Sequence, residues 1–189
     1  MCELHSEEFN YAETYYKVTK WSERHHGYQY QDGLNVLTEP LAEPGSCVPG
    51  GLYFTDLSHV PEFLDYGVYV REVRIPLGSR VVRDGPEKWR ADQLWLGHRW
   101  ELEEFLRHHA NIWTMKNWSQ ISRDGTLTEK FIREFADQVD WIEISRYQKL
   151  SAKFIQEFAN RVNWTVISKY QNEFVYAFIK MVVQNTYDK

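Results

Sequence analysis

Seven histidines and two cysteines carry the most reactive side chains of this 189-residue chain. The histidines fall as His25-His26, His98 and His108-His109, with His5 and His59 apart. None of them has the His-x-x-x-His spacing, and the cysteines lack the Cys-x-x-Cys spacing, that sets two ligands on one metal ion. Adjacent helical residues point about 100° apart, so His108 and His109 are poorly placed to share an ion, and no metal is expected. Cys47 lies in the turn-rich run Pro44-Gly45-Ser46-Cys47-Val48-Pro49-Gly50-Gly51. A thiol there becomes a nucleophile only beside a base that lowers its pKa, and His25 or His26 could supply one. The dinucleotide-binding Gly-x-Gly-x-x-Gly, the P-loop and the Gly-x-Ser-x-Gly elbow are all absent.

The elements that would position such groups differ between the two halves. All six prolines lie at or before Pro86, and Gly125 is the one glycine after Gly97. Both residue types mark turns and are poor inside helices. Residues 1–110 therefore read as a mixed α/β module, mostly antiparallel sheet, and residues 111–189 as an all-helical tail; the fold class is α+β. The first segment holds 11 Lys/Arg against 18 Asp/Glu and the second 11 against 9. Neither balance is the strongly basic surface of an autonomous nucleic-acid binder. Two cysteines do not make a disulfide framework, the N-terminus lacks the apolar run of a signal peptide, and no stretch nears the roughly 18 apolar residues of a membrane span. A reducing, intracellular setting without membrane insertion is expected.

In the first half, β-branched and aromatic runs predict strands over 15–19, 34–37, 52–55 and 68–75, with weaker ones at 80–82 and 94–96. Between the third and fourth, residues 57–66 read as a short helix with Val60, Phe63 and Leu64 on one face and Pro61 in its first turn.

The second half repeats every 23 residues. Trp118, Trp141 and Trp164 recur at that interval, with Ile121, Ile144 and Ile167 and with Ser122, Ser145 and Ser168. Phe131 pairs with Phe154, Ile132 with Ile155, Phe135 with Phe158, and Val139 with Val162. A fixed period of this size marks stacked helical hairpins, because one unit cannot bury its own apolar face. The periodic Trp, Ile and Phe residues are expected to form that shared core. Asn117 with Gln120 and Asp140 with Glu143 have capping-box spacing. Thr128 and Ser151 are expected to cap the second helix of each unit, the latter running over 152–162. A last helix to about Val183 closes the array, and its apolar end face leaves room for self-association.

The segment Gly50-Gly51-Leu52-Tyr53-Phe54-Thr55-Asp56, its helix to Tyr66 and the strand beyond resemble the Gly-Ile-Tyr-Phe-Ala-Asp strand and following helix of ADP-ribosyltransferases of the poly-ADP-ribose polymerase type. The resemblance covers about 50 residues. It implies NAD as cofactor, with Tyr53 and Tyr66 holding the nicotinamide ring from its two faces. His26-Gly27 corresponds to the family's His-Gly, although the first strand is expected earlier, over 15–19. The family's catalytic glutamate has no match as good: Glu101, Glu103 and Glu104 are the carboxylates nearest the expected place and fall in a helical pattern.

A broader resemblance runs through GLYFTD, FLDYGVYVREVRIP, ADQLWLG and WIEISRYQKLSAKFIQEFANRVNW, covering most of residues 15–170. These strings are similar to uncharacterised giant DNA virus proteins of the marseillevirus and mimivirus groups, in which such a module is joined to helical repeats of the Ile-Ser-x-Tyr-Gln-x-Leu-Ser type. That implies a viral protein working in the host cytoplasm or nucleus, or carried in the virion. The expected function is a non-enzymatic interaction protein whose partner is a host or viral protein, with no cofactor. The alternatives are an NAD-dependent ADP-ribosyltransferase-like enzyme and a nucleic-acid binder using Arg123, Arg133, Arg146, Lys149, Lys153, Arg161 and Lys169.

Overall fold

In a computed structural model, residues 9–41 and 50–171 are described. The chain divides into two compact units, Met1–Phe105 and Leu106–Lys189. The first carries an antiparallel sheet built from β1 (Tyr15–Thr19), β4 (Gly33–Val36), β6 (Tyr69–Arg74) and β9 (Gln93–Glu101), in the order β1-β6-β9-β4. A second sheet has the order β5-β8-β7, from β5 (Leu52–Phe54), β7 (Val81–Arg83) and β8 (Trp89–Ala91). A two-stranded hairpin joins β2 (Arg24–His25) to β3 (Tyr28–Gln29).

All four longer expected strands are present, shifted by a residue or so at their ends. The strand expected at 94–96 is nine residues long, because the polar stretch Gly97-His98-Arg99 continues the ladder opposite β6. Strand β8 escaped the sequence reading. Its central residue, Arg90, is fully buried, and a buried cation hides the alternation on which strand prediction depends. In β6 the neighbours Val70 and Arg71 are both buried, and the ladder to β9 shifts register between Arg71 and Val73.

The two sheets contribute a common apolar cluster that includes Tyr15, Tyr30, Leu52, Phe54, Val73, Leu94 and Leu96. Tyr16 ties them together, its backbone exchanging two hydrogen bonds with Thr55 at 2.7 and 2.8 Å. Residues 57–66 form a 3-10 helix rather than an α-helix, capped by the Asp56 side chain on the His59 N–H. Pro61 sits in its middle and is buried with Val60 and Leu64, while Phe63 is half-buried.

Helix α1 (Leu102–His108) runs across the division between the units, and the tail holds α2 (Met115–Asp124), α3 (Glu129–Glu134), α4 (Trp141–Tyr147), α5 (Ala152–Glu157) and α6 (Trp164–Tyr170). Thr128, Asp140 and Ser151 cap α3, α4 and α5. Asn117 does not cap α2. Thr114 does, and Asn117 is the reciprocal member of its capping box, since the hydroxyl three residues upstream accepts the Asn117 N–H. Helix α5 ends at Glu157, five residues short of the expected length, because Phe158 takes a non-helical φ of −107° as its C-cap.

The 23-residue period is a hydrogen-bond lattice as well as an apolar pattern. The Ser122 and Ser145 hydroxyls accept the backbone N–H of Asp140 and of Asn163, the caps of the following units, at 2.9 Å each. Gln148 is buried; it accepts the Leu127 N–H and donates to the Ser122 and Gly125 carbonyls. Gln171 donates in turn to the Ser145 and Gln148 carbonyls. Ile121, Phe131, Ile144, Phe154 and Ile167 are buried, and Phe135 and Phe158 half-buried.

The indoles correct the expectation of uniform burial. Trp118 is 5% exposed, Trp141 intermediate and Trp164 45% exposed. Trp118 packs on Phe131 and Phe135, and Trp141 on Phe154 and Phe158. Counting 23 on from those phenylalanines gives Ala177 and Met181, so the sequence supplies no matching ring pair for Trp164. The expected closing helix lies outside the described residues, as do Cys2, His5 and Cys47.

Candidate functional site

Strand β5 turns into the sheet through two glycines with different tasks. Gly50 has φ +93°, a conformation that favours glycine. Gly51 has no room for a side chain, since a Cβ there would come within 2.9 Å of Arg90. The buried Arg90 also donates from Nη1 to the Gly50 carbonyl at 2.9 Å. This packing sets Tyr53 against one wall of a cavity of about 380 Å³.

The cavity is lined by five segments of the chain. β1 supplies Tyr16, Lys17 and Val18; β5 and its approach supply Gly50 to Thr55; the 3-10 helix supplies Phe63 and Tyr66; Lys88 precedes β8. The hairpin brings His25 and His26. His26 and Gly27 both have positive φ, 46° and 83°, the pair of left-handed residues a tight hairpin turn demands. The two imidazoles stack, His25 on His26 with centroids 4.1 Å apart, and the Tyr66 ring centre lies 5.6 Å from that of His25.

A buried guanidinium holds that hairpin in place. Arg71, 1% exposed, donates from Nη1 to both Glu23 oxygens at 2.6 and 2.7 Å and from Nη2 to Asp32 and the Gly97 carbonyl. Glu23 and Asp32 bracket the segment that carries β2 and β3, so one cation on β6 fixes both its ends. The sequence reading placed Arg71 in a strand without assigning it this role.

The electrostatics of the cavity are one-sided. Its lining includes Lys17, Lys88, His25 and His26, and no Asp or Glu among the described residues. Lys17 is 5% exposed; its Nζ donates to the Tyr53 carbonyl at 2.9 Å and sits 4.5 Å from the centre of the Tyr30 ring. Burial away from water pushes its ammonium down to about 7. Burial, then the charges of Lys17, His26 and Lys20, pushes His25 down to about 4. The Lys88 ammonium lies 5.6 Å from the centre of the Tyr53 ring.

Three of the four residues singled out for a transferase site, Tyr53, Tyr66 and His26, thus line one cavity. Glu101 does not. It is the last residue of β9, paired with Tyr69 and exposed, whereas Glu103 and Glu104 begin α1. The helical pattern read for Glu101 gives way because Leu102, not Glu101, opens the helix. Lys17 went unmarked in the sequence; the signal was a lone cation inside an otherwise apolar strand, Tyr-Tyr-Lys-Val-Thr.

Elsewhere the histidines have local duties. The His59 imidazole meets the Asp56 carboxylate at 2.8 Å, and His98 packs edge-on to Trp100. No cluster of three metal-ligating side chains exists among the described residues. Of the cations considered for nucleic acid, Arg133 pairs with Glu157, Arg161 with Asp137 and Arg123 with Asp124, while Arg146 donates to the Tyr170 hydroxyl. Among the described residues, no helix is long and apolar enough to cross a membrane.

Comparison with known proteins finds relatives in Acanthamoeba polyphaga mimivirus. Several are named as putative ankyrin repeat proteins: one is 39% identical over 99 residues, 49% of this chain and 49% of its own length. Another is 40% identical over 89 residues, 43% of this chain and 29% of its own length. An uncharacterized protein of the same virus is 35% identical over 95 residues, 48% of this chain and 69% of its own length. The chain thus spans about half or less of the relatives named for ankyrin repeats. No protein-family model matches it, and no solved structure does.

Proposed function

The chain belongs to the same family as the uncharacterized mimivirus protein, and we propose that it is a virus-encoded interaction protein acting on host or viral macromolecules through its helical array. The observation that carries this reading is an exposed aromatic ladder. Tyr147 and Tyr170 stand one period apart, 50% and 42% exposed, and the Arg146 guanidinium lies 5.4 and 4.9 Å from their ring centres. Tyrosine and arginine dominate the energetics of protein interfaces. The recurring Ser122, Ser145, Gln148 and Gln171 bind the neighbouring unit, whereas these two tyrosines face solvent. Relatives named for ankyrin repeats support a protein partner, although the period here is 23 residues and that of an ankyrin repeat about 33. The partner is a host or viral protein or a second copy of this chain, met in the host cytoplasm or nucleus or in the virion, and no cofactor is required. Affinity capture from infected cells should recover a defined partner with the native chain and about tenfold less with a Tyr147→Ala, Tyr170→Ala double variant of unchanged circular dichroism. Failure to recover any partner, together with NAD turnover by the purified protein, overturns the reading.

A second reading is an NAD-using transferase of the ADP-ribosyltransferase type. What favours it is the convergence of Tyr53, Tyr66 and His26 on one cavity. It predicts a thermal shift with NAD that Tyr53→Ala abolishes. The absence of a carboxylate among the described lining residues ranks it second, since the transferase reading asks for a glutamate beside the ring-binding tyrosines.

A further inference from the structure

We propose that the cavity beside Tyr53 is a binding site for a small aromatic anion, a ligand in which a flat ring carries a carboxylate or a phosphate. The inference goes beyond both readings above, because it needs neither a protein partner nor turnover of NAD. Three observations converge on it. The lining is rich in aromatic residues, Tyr16, Tyr53, Phe54, Phe63 and Tyr66, the residue class that best accommodates a flat ring. The lining offers cations and no anions: Lys17 and Lys88 border the space, and no carboxylate does among the described residues. The volume, about 380 Å³, falls in the range of small-molecule pockets and fits one ring system with its substituent.

Lys17 decides the sign of the ligand. Its one hydrogen bond among the described residues goes to a neutral carbonyl, and it sits 4.5 Å from the centre of the Tyr30 ring. A buried ammonium without a carboxylate is costly, which is why burial draws it down to about 7. An anion in the cavity would supply the missing counter-charge. A cationic ligand would meet Lys17 and Lys88 with like charge, and a neutral amide would leave the ammonium uncompensated.

Matched probe pairs test this on the full chain by calorimetric titration: benzoate against benzamide, and adenosine 5′-monophosphate against adenosine. The anion of at least one pair should bind about tenfold or more tightly than its uncharged partner. Preference for benzoate assigns the carboxylate, and preference for the nucleotide the phosphate. Lys88→Gln and, separately, Lys17→Met should each shrink the preference several-fold. Lys88 is half-buried outside a strand, so its variant reports even if Lys17→Met fails to fold. Equal affinity within both pairs, or no binding by any probe, overturns the proposal. Tight binding of benzamide alone would overturn it while favouring the NAD reading, and loss of the protein partner in the tyrosine-ladder variant bears on neither outcome.

Discussion

Two neighbouring bases in the N-terminal unit titrate far from their usual ranges, and each makes stability depend on pH in a defined window. Lys17 binds its proton less well folded, at about 7, than in the unfolded chain. Between about 7 and the ordinary lysine range the unfolded state therefore holds the extra proton, and stability rises with pH. Below about 7 the lysine is charged in both states and that gain is absent. His25, drawn down to about 4, works the same way at lower pH: stability falls as pH drops from the usual histidine value toward 4. Thermal melting between pH 4 and 9 should show the midpoint climbing in two steps. Lys17→Met should flatten the upper step and His25→Gln the lower. A profile unchanged by either substitution would show that neither group is desolvated as the fold implies.

Single helices of the tail are six to ten residues long, too short to persist alone in water. Each relies on a side-chain cap and on its neighbour's hydrogen bonds. Gln148 is the most consequential of these links, because it satisfies the Leu127 N–H and the Ser122 and Gly125 carbonyls where water does not reach. Gln148→Ala should cost about 3 kcal/mol, the desolvation penalty of several buried groups left unpaired. Arg133→Ala removes a solvent-exposed pair with Glu157 and should cost far less. Urea unfolding of the two variants checks the order, and equal losses would mean that the array is held by its surface charges.

Along the molecule the burial of the periodic tryptophan declines from 5% exposure at Trp118 to 45% at Trp164. A stacked array opens most easily where a unit has fewest packed neighbours. Hydrogen exchange should accordingly be slowest for the amides of α2, faster for α4 and fastest for α6. Uniform protection would show that the residues following α6 bury it as fully as the earlier units bury one another.

The sequence by itself determined the parts that depend on local period. The 23-residue recurrence, the caps at Thr128, Asp140 and Ser151, the α+β division and four of the strands all follow from residues near one another in the chain, where backbone preference and apolar spacing suffice. Tertiary structure alone decided what depends on distant residues meeting. Arg90 is fully buried because it packs across Gly51, and that burial hid β8 from view. Arg71 fixes the hairpin because its guanidinium reaches both Glu23 and Asp32. Tyr53, Tyr66 and His26 share a cavity with Lys17, and Glu101 does not, because strand pairing sends β9 elsewhere. Local pattern records which face of an element is apolar; it holds no record of which far-off side chain that face will meet.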